Sequence, residues 1–393
     1  MGSKQSLDFT HVPRELKLII EILMKEKEYF SDNNKDLFIN INWNLFLELA
    51  FHHRIYPSLY VKLKDYFTNL VPKHVMQTLA MEYKNNTIKM LCLSAELEEI
   101  NTLFTKNNVQ SIFLKGPVLA KQLYGDISNR TSSDIDLLVR IDDLNQVDGL
   151  LKKKGYQKED EFLAVFDEWK WRNHHISYFH PRKQTLVEIH WRLSPGPKKE
   201  SSFEELWRRK STVYFAQNPI HTLGKEDLFL FLVTHGARHG WSRLRWLVDI
   251  HNLIKDELNW GELQKLLKRY QNIKIAGQAV ILVNELFDTE FNVGQPWLIN
   301  NRSLKLAQDA VFYLERMINI NAIPVPADIR KYHKSHLYSL MSFKHRIIFL
   351  LSIMYPSHLD AVTLPLPKYL HFLYFPLRPI LWICRKSKKP SIS

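Results

Sequence analysis

Residues 113–139 read FLKGPVLAKQLYGDISNRTSSDIDLLV, and the order of their parts decides the fold. An apolar run, Ile112-Phe113-Leu114, stops at Lys115-Gly116. An amphipathic stretch follows, then a polar loop carrying Arg130. Asp134-Ile135-Asp136 then opens a second apolar run, Leu137-Leu138-Val139. On a strand, residues i and i+2 share a face, so both carboxylates point the same way from a buried strand. Two like charges held that close need a cation between them, and Mg²⁺ is the hard ion such oxygen ligands suit. Upstream, a strand that runs into a Gly-started helix leaves backbone N–H groups free to receive phosphate. Taken singly, an Asp-x-Asp or a Lys-Gly is common. The sequence strand, Gly, helix, basic loop, Asp-x-Asp, strand is far more restrictive and points to nucleotide chemistry.

A third carboxylate joins the pair. Thr185-Leu186-Val187-Glu188-Ile189-His190-Trp191 reads as a strand with Glu188 between two β-branched residues, an uncommon place for a charge without a partner. If this strand lies beside Asp134–Val139, three carboxylates converge, as in two-metal phosphoryl transfer. If it is an edge strand, Glu188 faces water. Removing one member of a crowded carboxylate pair is expected to relieve repulsion without unfolding the chain.

The chain resembles the bacterial family of uncharacterised nucleotidyltransferases, within the superfamily that includes DNA polymerase beta and the antibiotic nucleotidyltransferases. The features that carry the resemblance are Lys115-Gly116 before the helix, Arg130 before the acidic motif, and Asp134-Ile135-Asp136-Leu137-Leu138-Val139. Val187-Glu188-Ile189 matches the third acidic strand. His235-Gly236-Ala237-Arg238-His239-Gly240-Trp241 and the stretch 243–250 match a His- and Trp-rich downstream helix. The resemblance covers about residues 40–290. It implies an α+β fold, a small mixed-sheet core flanked by helices, and transfer of a nucleoside monophosphate from an NTP with Mg²⁺ or Mn²⁺. Asp134, Asp136 and Glu188 would then be the catalytic and metal-binding residues, with Glu188 as ligand or as general base. Lys115, Gly116, Arg130 and Ser133 would bind nucleotide. The superfamily usually has Gly-Ser at the phosphate turn, whereas this chain has Gly116-Pro117. Pro117 suits the first turn of a helix but offers no hydroxyl, which shifts that work to the Lys115 charge.

The 393 residues, 45% apolar, are enough for a sizeable core and more than one domain. Cys92 and Cys384 form no redox or zinc motif, which favours a reducing, cytoplasmic setting. No signal peptide is expected, and the myristoylation-like start Met1-Gly2-Ser3-Lys4-Gln5-Ser6 is read as coincidence. The net charge of +13 is spread in short clusters at 152–154, 208–210 and 385–389. It is compatible with RNA, anionic lipid or triphosphate steering, and selects none of them.

The chain divides into a helical N-terminal region (1–108), an α/β core (109–194) and a helical C-terminal domain (195–393), with Ser194-Pro195-Gly196-Pro197 as the break. Helices are expected over 13–31, 42–68 and 73–106, the last carrying Met76, Leu79, Met81, Met90, Leu91 and Leu97 towards the catalytic segment. His174, His175, His180 and His190 lack a three- or four-ligand spacing and read as ordinary structural or substrate-facing histidines. His235 and His239 share a helical face, and Gly236 and Gly240 admit a close neighbour. With Arg243 and Arg245 they are the candidate lining of the substrate cleft. The aromatic segment 369–384 and the basic residues after it read as packed helices with a tail, the alternative being a peripheral membrane contact. The acceptor stays open, with a small molecule or peptide preferred over nucleic acid. The competing readings are a tRNA-modifying toxin and a catalytically inactive scaffold.

Overall fold

The computed structural model describes residues 6–25, 29, 32–67, 69–159, 165–215, 218–289, 296–320 and 324–387. Residues 1–5, with most of the acylation-like start, and Lys388 and Lys389 of the basic tail lie outside the described residues.

Among the described residues the sheet has seven strands: β1 (Ser111–Phe113), β2 (Asp134–Val139), β3 (Gln157–Lys158), β4 (His175–His180), β5 (Thr185–His190), β6 (Ser211–Phe215) and β7 (Asn218–Thr222). Their order is β3-β4-β5-β2-β1-β7-β6. β2 pairs antiparallel with β1 and parallel with β5, and β7 pairs parallel with β1, so the sheet is mixed. Central strands are covered on both faces, which is why β1 and β2 read as near-continuous apolar runs. The two faces bury different cores. Ile135, Leu137, Val139, Val187 and Ile189 pack with Met90, Leu97, Ile100 and Phe104 of the helix Lys73–Lys106. Ile112, Leu114 and Leu138 face the other way, into a core shared with the N- and C-terminal helices. By alternation Asp134, Asp136, Glu188 and His190 belong to this second face, so the carboxylates look toward the helices Lys225–Arg238 and Leu244–Lys255.

The helix Lys73–Lys106 runs unbroken, as its pattern predicts, but presents a different face from the one expected. Leu79, Met90, Leu93, Leu97, Ile100 and Phe104 are buried, whereas Met81 and Leu91 are 58% and 56% exposed. The buried set keeps spacings of three and four, and Met81 and Leu91 fall off that stripe. The stretch 42–68 is two helices, Trp43–His52 and Tyr56–Tyr66, parted at Arg54 with φ +55°.

The sheet continues past the 194–197 break, because β6 and β7 extend it beyond β1. These strands carry only brief, exposed alternation, and the pairing of β7 with β1 and of β6 with β7 supplies the order that their own sequence lacks. Leu16, Ile19, Phe46 and Leu63 share one core with Phe229, Leu247, Ile281 and Leu314.

At the C-terminus, Asp360 is buried and held by Arg378 and Arg385, which ties the helix Tyr374–Ser387 to the helix His358–Thr363. Tyr374 and Leu381 pack inward on Val165, while Tyr369, Phe372, Ile380 and Trp382 stay exposed. Among the described residues no helix is long and apolar enough to cross a membrane.

Candidate active site

The turn between β1 and the helix Pro117–Tyr124 is built by Gly116. Its φ of +81° and ψ of −148° lie in a region that is essentially glycine's alone. A Cβ there would also stand 3.3 Å from the Asp134 carbonyl oxygen. Pro117 begins the helix Pro117–Tyr124, and no side chain caps that end, so its first N–H groups are free to face an anion. Gly116→Ala is expected to cost on the order of 1–3 kcal/mol, read as a lower urea midpoint at unchanged slope, with nucleotide affinity falling in parallel. A variant as stable as the parent would show that the turn tolerates a side chain.

Glu188 comes to the aspartates through strand register. β2 and β5 run parallel with Asp136 opposite Glu188, so Glu188 is not an edge residue. Asp136 is 1% exposed. Its Oδ1 accepts from Lys115 Nζ at 3.1 Å, and His190 Nε2 stands 3.2 Å from the same oxygen. His190 Nε2 is also 3.3 Å from Glu188 Oε2, so one imidazole bridges two carboxylates. Burial by itself would raise Asp136, but Lys115 and His190 outweigh it and hold the carboxyl far below its usual range. Asp134, half-buried at the mouth, moves the other way, raised by burial and by the Asp136 charge. Burial would lower His190, yet its bonds to Asp136 and Glu188 raise it. Asp136 Oδ2 is buried with no hydrogen-bond partner among the described residues. A lone acceptor of this kind, facing carboxylates on the same side of the sheet, fits a divalent cation.

These groups open onto a cavity of about 320 Å³. Lys115, Ser133, Asp134, Glu188, His235, His239 and Arg245 line it, as does Arg130. Ser133 is exposed at the mouth. His235, His239 and Trp246 form an aromatic wall, with ring centroids 4.6–5.5 Å apart. Burial holds His235 well below its ordinary range and brings His239 down to about 3, so both rings are neutral at pH 7. Arg245 Nη1 donates to the Thr131 carbonyl at 2.5 Å and to Thr131 Oγ1 at 2.6 Å. Its buried Nε has no partner among the described residues. Burial and the neighbouring Arg130 push Arg245 down to about 9, the mark of a cation short of anions.

The arginines named from the sequence divide: Arg130 and Arg245 line the cavity, and Arg243 is not among its lining residues. Arg130 is 2% exposed, and its Nε and Nη2 donate to both oxygens of the fully buried Asp249 at 2.8 and 2.9 Å. Tyr124 Oη donates to the same carboxylate at 2.7 Å. A third Arg130 hydrogen bond, from Nη1, runs to the Thr131 carbonyl, so Arg130 fixes the loop before Asp134 while two of its five N–H donors stay uncommitted among the described residues. Arg243 turns away from the cavity to His52, contacting Nδ1 at 2.8 Å and the carbonyl oxygen. Its expected place is taken by Arg238 and Arg54, both at the cavity wall. Arg238 sits one turn after His235, Nη2 to Nδ1 3.4 Å, a helical spacing that could have marked it. Nothing in the sequence marks Arg54. The glycines of this helix end admit aromatic rings: a Cβ on Gly236 would stand 2.2 Å from the Trp241 ring, and one on Gly240 2.6 Å from Tyr313.

The histidines also regroup. His174, His175 and His190 bring ring nitrogens within 4.8 Å of one another at the edge of the cavity, while His180 lies apart, against the Lys154 carbonyl. The chain spacing of these residues conceals this, because antiparallel pairing of β4 and β5 sets His175 opposite His190.

The mixed sheet, the helix after Gly116 and the carboxylates on adjacent parallel strands define a member of the nucleotidyltransferase superfamily. The model of the family described as uncharacterised nucleotidyltransferase matches residues 40–288, more than half of the chain, and the protein belongs to that family. No curated protein matches the sequence. Among solved structures, the antibiotic-resistance factor ANT(2'')-Ia is similar at 10% identity, over 47% of this chain and 92% of that one, with a TM-score of 0.34. The lincomycin-bound lincosamide antibiotic adenylyltransferase LnuA is 22% identical over 40% of this chain and 94% of its own, with a TM-score of 0.30. An antigenic nucleotidyltransferase-like protein from Paracoccidioides brasiliensis is 16% identical over 49% and 90%, with a TM-score of 0.28.

Proposed function

We propose that the protein transfers a nucleoside monophosphate from an NTP to a small-molecule or peptide acceptor, with release of pyrophosphate. The observation that carries this reading is the register of β2 and β5, which sets Asp136, whose buried Oδ2 has no hydrogen-bond partner among the described residues, opposite Glu188. Asp134, Asp136 and Glu188 would hold Mg²⁺ or Mn²⁺. When bound, the ion neutralises triphosphate charge and helps the leaving pyrophosphate depart. Gly116 and the helix start after it receive phosphate oxygens through backbone N–H groups. Lys115 stands beside them as a point charge, anchored on Asp136. Arg245, buried, and Arg238, half-buried, both on the cavity wall, take the triphosphate charge, and Arg130 positions the loop. Glu188, partly exposed, is placed to accept the acceptor's proton if it is not spent on metal. A cavity of about 320 Å³ lies at the small end of ligand sites, which suits a compact acceptor.

The test is calorimetry of ATP and GTP with Mg²⁺, with Mn²⁺ and with EDTA. We expect binding with either ion and a large loss in EDTA. Equal affinity with and without metal would overturn the metal-dependent reading.

A further inference from the structure

The imidazoles beside the carboxylates make a donor set that Mg²⁺ does not use. Hard Mg²⁺ takes oxygen ligands, whereas imidazole nitrogen suits first-row transition ions. His174 Nε2 and His175 Nδ1 are 3.2 Å apart. Zn–N bonds of about 2.0–2.1 Å in a tetrahedron imply a donor spacing of about 3.3 Å. His190 brings a third ring nitrogen into the same group, all within 4.8 Å. Glu188 is within reach as a carboxylate donor, its Oε2 being 3.3 Å from His190 Nε2 and its Oε1 3.8 Å from His175 Nε2. His190, only 3% exposed, has a second nitrogen, Nδ1, with no hydrogen-bond partner among the described residues.

The strands explain how such a set arises. Glu188 and His190 are i and i+2 on β5 and share a face. His175 faces His190 across the β4–β5 ladder. His174 is held just outside the ladder, where its carbonyl accepts from Trp191 N at 3.0 Å. Three donors stand on two paired strands and the fourth, on His174, is tied to the end of the ladder by that backbone bond. They line the cavity, which gives an ion a way in.

We propose that His174, His175, His190 and Glu188 form a binding site for a divalent transition ion of the Zn²⁺ or Co²⁺ kind, adjoining the Asp134–Asp136 pair. The site shares Glu188 with the proposed nucleotidyl-transfer centre but does not rest on that reading, since its selectivity follows from the nitrogen donors alone.

The test adds Co²⁺ to the untagged, metal-stripped full chain. We expect the intense visible d–d absorption of four-coordinate Co²⁺, hyperfine-shifted imidazole N–H proton resonances in the parent protein, loss of both on adding Zn²⁺, and no displacement by excess Mg²⁺. His174→Ala and His175→Ala, both at partly exposed positions, should each weaken Co²⁺ at least about tenfold while melting like the parent. Asp134→Asn should keep the spectrum. Displacement by Mg²⁺, a weak six-coordinate spectrum without shifted imidazole resonances, or unchanged affinity in both histidine variants would overturn the assignment. The proton resonances decide the matter in the parent protein even if a variant misfolds. Failure of metal-dependent ATP binding would leave the Co²⁺ result intact, so the two readings fail separately.

Discussion

Asp136→Asn and Asp134→Asn should each reduce pyrophosphate release from ATP by on the order of 10²-fold or more, and they should differ in what they do to stability. Both remove a carboxylate that would hold metal, so both lose the charge stabilisation of the departing pyrophosphate. Asp136, however, is the anion that Lys115 and His190 share in a buried setting. Its amide analogue keeps one acceptor oxygen but removes the negative charge that the half-buried Lys115 ammonium and the buried His190 share, at a cost of about 1–3 kcal/mol. Asp134 is the strained member of the pair, raised by burial and by its neighbour, so its amide should leave stability unchanged or improve it. The expectation of relieved repulsion therefore applies to Asp134 and not to Asp136. Urea melts of the two variants alongside the ATP assay make the comparison. Equal stability losses would mean that the Lys115–Asp136–His190 cluster contributes nothing net, and retained turnover in both variants would remove the aspartates from the chemistry.

Asp249→Ala should produce the largest loss of stability, about 3–5 kcal/mol, the usual cost of stripping one partner from a buried ion pair. Arg130 would keep its charge at 2% exposure with no carboxylate, beside the already anion-poor Arg245. Tyr124 would lose its acceptor as well. The damage should spread to function, because Arg130 fixes the backbone leading into Ser132, Ser133 and Asp134. Asn86 of the long helix steadies the same loop by donating to the Ser128 carbonyl at 2.8 Å. Asp249→Asn keeps one acceptor oxygen and should fall between alanine and the parent. Denaturation midpoints for the three proteins, with ATP affinity measured on each, check this. A parent-like midpoint for the alanine variant would show that the pair is balanced by its own desolvation, as some buried pairs are.

What the sequence determined by itself is local. Steric rules and strand alternation put Asp134 and Asp136 on one face, made Gly116 the turn and Pro117 the first helical residue, and kept 73–106 in one helix. Each of those statements depends on residues a few positions apart, where backbone geometry leaves few choices. The face that long helix buries, the extension of the sheet by β6 and β7, and the partner of every charge were settled by contacts distant in the chain. Arg130 found Asp249 across 119 residues, and Arg243 was drawn to His52 across 191. A charge carries no local signal of which buried counter-charge it will meet, because that choice is made when helices pack against the sheet and desolvation penalises every ion left alone. The same holds for the histidines. Their spacing along the chain says nothing of a ligand set, and only the pairing of β4 with β5 brings His174 and His175 to His190 and Glu188.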